Sequence, residues 1–164
     1  MTQLEERPAT AGATDVLAIE DPTTRAETWF RAFEEALAAR DVERAAGLFA
    51  TTSFWRDLIA FSWNIKTVEN RAGVTDLLQA TLDRTAPEAF RLSEPATEAD
   101  GVITAWFEFE TAVGRGRGLA RLVDEDGPKA WTFLTTMYEL KGHEEPQGVR
   151  RPAGVVLPGA PRAP

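Results

Sequence analysis

The chain has 164 residues, 43% of them hydrophobic, with a net charge of −8 and an isoelectric point near 4.8. That length fits one domain, able to bury roughly 70% of the surface its unfolded chain exposes. The acidic balance argues against nucleic acid and anionic membrane surfaces as partners, because phosphate neutralisation requires clustered cations. Zero cysteines exclude disulfides, thiolate catalysis and thiolate-held metals together. No apolar run approaches the about 18 residues of a membrane span. Glu5, Glu6 and Arg7 stand where a secretory signal needs an apolar region. A cytoplasmic location is the expectation.

Residues 1–22 lack hydrophobic period and read as a mobile leader with a net charge of −4. Thr23 or Thr24 is positioned to cap a first helix running to about Arg40, with Trp29, Phe30, Phe33 and Leu37 forming its apolar stripe. Asp41 reads as the cap of a shorter helix through Phe49. The aromatic-rich segment 53–66 reads as a short strand over 54–57, a loop, and a second extended piece ending near Thr67. A third helix is expected over 69–84, with Asn70 as its cap and Val74, Leu77, Leu78 and Leu82 on one face; Pro87 ends it. A weaker strand follows over 88–97, and the run 98–101 reads as a turn.

The most informative stretch is 101–145. Ile103, Ala105, Phe107, Phe109, Thr111 and Val113 alternate with Val102, Thr104, Trp106, Glu108 and Glu110, a period-two pattern that predicts a long strand. Gly114, Gly116 and Gly118 predict a turn or bulge before a return strand over 119–123. The dinucleotide-binding use of such glycines requires a following helix, whereas a strand pattern follows here. The Asp126-Gly127 pair predicts the next turn. A third strand over 129–141 places Trp131, Phe133, Thr135 and Met137 on one face, and Ala130, Thr132, Leu134, Tyr138 and Leu140 on the other. Both faces are substantially apolar, so one is expected to meet the helices and the other a second protein surface.

From Pro146 the chain turns proline-rich with a net charge of +3, which reads as a linker or disordered tail over 146–164. The body, 23–145, carries −7. Helices followed by an antiparallel meander predict an α+β class, with about three helices packed on one side of a curved, mainly antiparallel sheet.

This element order resembles the nuclear transport factor 2-like fold, a cone of helices and sheet, in its SnoaL-like branch. The motifs Phe54-Trp-Arg-Asp-Leu58 with Trp63, Phe107-Glu-Phe-Glu-Thr111 leading into Gly114-Arg-Gly-Arg-Gly118, and Ala130-Trp-Thr132 with Glu139-Leu-Lys-Gly-His-Glu-Glu145 are similar to the N-terminal domain of bacterial flavin-containing monooxygenases. The resemblance covers about residues 27–152. In that family a dinucleotide-binding domain follows; this chain shows no such fingerprint, so FAD and NADPH would belong to a separate downstream domain, and no cofactor is expected within the chain itself.

Folds of this type often carry an acid in the pocket between sheet and helices, which makes Asp57, set among aromatics, a candidate general base. The alternative is an ion-paired or loop-capping carboxylate. Tyr138, the single tyrosine, is a candidate hydrogen-bond donor to a bound carbonyl, or else an interface residue. His143, the single histidine, is a candidate proton shuttle or a structural residue, and with no cysteine beside it cannot build a zinc site of the usual kind. Trp55, Phe61, Trp63, Trp106 and Trp131 either line an apolar pocket or belong to the core.

Three functions follow from this reading. The first is a non-catalytic accessory domain that dimerises through its sheet or docks on a flavin monooxygenase domain. The second is a small cofactor-free isomerase, cyclase or dehydratase with Asp57 as base. The third is a binder of apolar small molecules.

Overall fold

A computed structural model describes residues 21–146; the leader to residue 20 and the tail from 147 lie outside the described residues. The order is α1 (Pro22–Ala38), α2 (Val42–Gly47), β1 (Phe49–Leu58), β2 (Ile65–Glu69), α3 (Asn70–Thr85), β3 (Glu88–Leu92), β4 (Thr97–Ala99), β5 (Val102–Glu110), β6 (Gly114–Asp124) and β7 (Pro128–Leu140). Three helices cover one face of a seven-stranded sheet, so the α+β reading holds. No helix among the described residues is long and apolar enough to cross a membrane.

The caps differ in detail from the expectation. Asp21, not Thr23 or Thr24, caps α1: its carboxylate accepts from the backbone N–H groups of Thr23 and Thr24, and Pro22 opens the helix where a missing N–H costs nothing. Asp41 caps α2 as expected, accepting from Arg44 N–H at 2.9 Å, but Phe49 opens β1 rather than closing the helix. Asn70 does not cap α3. Its amide oxygen accepts from Ser53 N–H at 3.3 Å instead, tying the helix start to β1.

The sheet runs β2-β1-β7-β6-β5-β3, with β4 paired to β5. All its pairings are antiparallel except β1 with β7, where Trp55 faces Phe133 and Asp57 faces Thr135 in parallel register. β1 is also longer than the sequence suggests: Phe49 already pairs with Ala130, and after a register shift the pairing resumes at Phe54 with Thr132.

The triple-glycine segment is strand, not turn. Phe107 pairs with Gly118 and Phe109 with Gly116 across β5 and β6. Both rings lie on the inner face, directly over the glycine backbones. The alternation is Gly, Gly, Gly, Ala120, Leu122 inward, and Arg115, Arg117, Leu119, Arg121 outward.

Trp131 is the other correction. The β6–β7 register steps from Arg121–Thr132 to Leu122–Ala130, leaving Trp131 unopposed. The shift turns Ala130 inward, where it is fully buried, and moves Trp131 off the buried face. A second step, from Arg115–Glu139 to Gly116–Met137, leaves Tyr138 unopposed.

The space between helices and sheet is filled with rings. Trp29, Phe33, Phe49, Trp55 and Phe133 meet one another at centroid separations from 5.0 to 6.2 Å. Phe30, Phe90, Phe107 and Phe109 continue the cluster. Each such aromatic contact adds about 0.5–1.5 kcal/mol beyond area burial.

Candidate functional site

Asp57 is the one ionisable side chain buried completely among the described residues. The β1 alternation points it inward, and the chain then leaves the sheet through residues 59–64 and folds back over it. Phe61 N–H donates to both carboxylate oxygens at 3.1 Å. Ser62 donates from its N–H at 2.8 Å and its hydroxyl at 2.7 Å. Thr135 Oγ1 donates at 2.8 Å from β7, and itself accepts from Trp55 Nε1 at 2.9 Å. The acceptor capacity of the carboxylate is therefore occupied by the loop and by β7. This is the geometry of a loop clamp, in which one carboxylate ties residues 61 and 62 to β7.

The clamped loop has a consequence at the surface. Ile59 and Trp63 both take left-handed backbone conformations, φ 61° and 55°, and both side chains project outward. With Tyr138, Leu140 and His143 they line a groove of about 420 Å³ where β7 meets the following turn. The turn is held by His143 N–H donating to Leu140 C=O at 3.1 Å and Lys141 N–H donating to Val113 C=O at 2.9 Å. Tyr138 reaches this position because it is the unopposed residue of the register shift. Its ring also lies 5.8 Å from the Arg117 guanidinium carbon.

The electrostatics of the rim follow from ion pairs. Arg115 bonds Glu139 at 2.5 Å and Glu144 at 3.2 Å, and these contacts raise its pKa above the ordinary arginine value. Glu144 is held below the usual carboxylate range by its own backbone N–H, by that of Gly142, and then by Arg115. Glu110 is lowered in the same direction, first by its hydrogen bond from Lys141, whose ammonium lies 2.8 Å away.

The structure thus brings Trp63, Tyr138 and His143 together, and places Asp57 beneath the loop that carries Trp63. It does not gather the five aromatics into one pocket. Trp55 and Phe61 are core, Trp131 is partly covered, and Trp106 stands 46% exposed on the opposite, outer face of the sheet. No group of three His, Asp or Glu side chains with metal-holding geometry occurs among the described residues.

That outer face is the second candidate site, and its cationic component was missed in the sequence. Three rows cross β1, β7, β6 and β5: Phe54, Thr132, Arg121 and Thr104; then Arg56, Leu134, Leu119 and Trp106; then Leu58, Thr136, Arg117 and Glu108. Leu119 and Leu134 sit side by side at the centre, with Trp106 beyond Leu119. Arg117 and Arg121 flank Leu119 along β6, and Arg56 flanks Leu134. Part of this face forms a shallow trough of about 650 Å³ beside Trp106, Arg117 and Leu134. The signal in the sequence was Arg115 and Arg117 alternating with glycine, read as a turn or bulge before the return strand that carries Arg121, when the strand already runs through them.

No protein-family model matches the chain, and no curated protein is significantly similar to it. Solved structures do share its architecture. A ketosteroid isomerase-like protein from Erwinia carotovora atroseptica superposes with a TM-score of 0.60 at 8% identity, over 74% of this chain and 99% of that one. ActVI-ORFA from Streptomyces coelicolor gives 0.55 at 17% identity, over 70% and 95%. A putative isomerase from Bacillus subtilis gives 0.53 at 16%, over 72% and 89%. At these identities the similarity shows the fold, a curved sheet with helices on one face.

Proposed function

We propose that this chain is a non-catalytic association domain that works through the outer face of its sheet, with a second copy of itself as the partner. The observation that carries this reading is the contrast between the two faces. The inner face is packed solid with aromatic rings, and its one buried carboxylate is fully engaged. The outer face exposes Trp106 beside Leu119 and Leu134, and an exposed apolar patch of this kind on a soluble domain marks an interaction surface. A two-fold dimer is the commonest closed way to cover such a patch.

Light scattering on the full chain tests this. The expected result is a concentration-dependent dimer that Leu134→Asp converts to monomer without loss of helical and sheet signal. A monomer at all concentrations overturns the second-copy reading. If that monomer instead binds a flavin-dependent oxidoreductase, the partner becomes the one the sequence motifs suggest. In either case the purified chain is expected to be colourless, because FAD and NADPH would belong to a separate downstream domain.

A second reading, a cofactor-free isomerase, cyclase or dehydratase, is favoured by one observation: Tyr138 and His143 line the same groove. On that reading the two residues, rather than the clamped Asp57, handle the proton.

A further inference from the structure

Ile59 and Trp63 are held in strained backbone without gaining burial. Both take the left-handed region, φ 61° and 55°, and their side chains stand 40% and 51% exposed. The turn between them is fixed by the bonds of Phe61 and Ser62 to Asp57. A buried network thus presents two large apolar side chains to solvent, and strain maintained in this way points to a functional segment.

The groove these residues share with Tyr138 and Leu140 has a volume of about 420 Å³, within the range of small-molecule sites. Its polar lining has one sign of charge. Glu139 and Glu145 supply carboxylates, His143 supplies an imidazole, and no lysine or arginine lines the groove. The cation that reaches Glu139, Arg115, is shared with Glu144. The Tyr138 ring already has the Arg117 guanidinium beside it, at 5.8 Å. Trp63 has no ring or guanidinium partner among the described residues, and an indole is the best aromatic face for a cation.

We propose that this groove binds a small organic cation with an aromatic body, a quaternary or protonated arylalkylamine. The ammonium head lies over the Trp63 ring on the side of Glu139 and Glu145, and the body packs against Ile59 and Leu140. An anion would meet two carboxylates with no lysine or arginine to receive it. A neutral ligand of the same shape would use the apolar walls and forgo both the indole face and the carboxylates. The site lies within one chain, so it needs neither a second copy nor a proton transfer and stands apart from both readings above.

The test is a titration of the full chain with benzyltrimethylammonium, beside benzyl alcohol and benzoate as neutral and anionic ligands of the same ring. Binding is read from the Trp63 indole N–H resonance, assigned by its loss in Trp63→Leu, and from the backbone amides of 138–143. The expected result is a saturable shift with the ammonium at roughly tenfold higher affinity than with either comparator. Trp63→Leu keeps an apolar wall and removes the aromatic face, so it is expected to weaken ammonium binding roughly tenfold at the 138–143 amides. Glu145→Gln is expected to narrow the gap between the ammonium and benzyl alcohol. The ranking of the three ligands in the unaltered chain needs no variant and decides the proposal even if a substitution disturbs folding.

Equal affinity for benzyl alcohol overturns the preference for a cation, and tighter binding of benzoate overturns its sign. The absence of a saturable shift at Trp63 and 138–143 overturns the site. Leu134→Asp, outside the groove lining, separates this result from association. Ammonium binding is expected to persist in that variant, and its loss there would overturn a site within one chain. A chain that never dimerises but binds the ammonium removes the association reading and keeps the site.

Discussion

The far edge of the Phe109 ring lies against the backbone of Gly116, its cross-strand partner, and a Cβ added at that glycine would come within 2.3 Å of the ring's Cζ. The same holds one pair along, where Phe107 covers Gly118 and the Leu134 carbonyl closes the remaining space. Glycine normally weakens a strand; here it lets two fully buried aromatics approach the sheet more closely than any side chain permits.

Gly116→Ala and Gly118→Ala are therefore expected to destabilise. Alanine restricts the unfolded chain and would by itself stabilise by about 0.4–1 kcal/mol. Overpacking a filled core costs about 1–3 kcal/mol, and that effect wins. Gly118→Ala is expected to be the worse of the two, because its new methyl meets backbone as well as a ring. Chemical denaturation of both variants decides it, and equal or raised stability in either would mean the rings have room to shift.

Asp57→Asn removes acceptor capacity while keeping shape. The amide NH2 would face the N–H groups of Phe61 and Ser62, leaving buried donors unpaired at a cost of about 1–3 kcal/mol. A lowered melting temperature with a loosened 59–64 loop, read by amide exchange at Phe61 and Ser62, is the expected outcome. Unchanged melting together with loss of turnover of some substrate would restore Asp57 as a general base.

The sequence made some of this legible and hid the rest for identifiable reasons. The alternation through 102–110 depends on local periodicity alone, and the inward set Ile103, Ala105, Phe107 and Phe109 is buried as read. The β1–β7 pairing joins residues about eighty apart and leaves no local trace. The unopposed residues Trp131 and Tyr138 shift side chains between faces, which strict alternation cannot anticipate. Tyr138 and His143 share a groove only because of the second shift and the turn after it. The glycine and arginine alternation was visible, but glycine's usual association with turns outweighed the period.

Acid is expected to weaken the last strand's attachments before the aromatic core responds. Glu110 and Glu144 have folded pKa values below their ordinary 4.5, through Lys141 for the first and through backbone N–H groups and Arg115 for the second. A lowered folded value means the unfolded chain binds protons more tightly. The stabilisation is thus fully present above about pH 4.5 and is lost as pH falls through the lowered values. Melting temperature followed from pH 7 to pH 3 is expected to fall at the acid end, and less steeply in Lys141→Met. A parallel decline in that variant would show that the Glu110 pair contributes nothing.

Ile59 supplies the last prediction, in which a substitution to a smaller residue stabilises. A β-branched residue at φ 61° is outside its comfortable range, and the strain is of order 1–2 kcal/mol. Its side chain is 40% exposed, so little packing opposes a change. What holds it there is the next turn, where Phe61 and Ser62 are fixed on Asp57. Ile59→Gly adds freedom to the unfolded chain, yet relief of strain is expected to offset this, leaving stability unchanged or raised by up to about 1 kcal/mol. Ile59→Asn, which tolerates the left-handed region with less unfolded-state freedom, is expected to gain more. The two variants in an Asp57→Asn background test the coupling: once the loop is released, Ile59 relaxes by itself and the gain disappears. If Ile59→Gly instead destabilises by more than about 1 kcal/mol, its contacts with the Trp63 side of the groove outweigh the backbone strain.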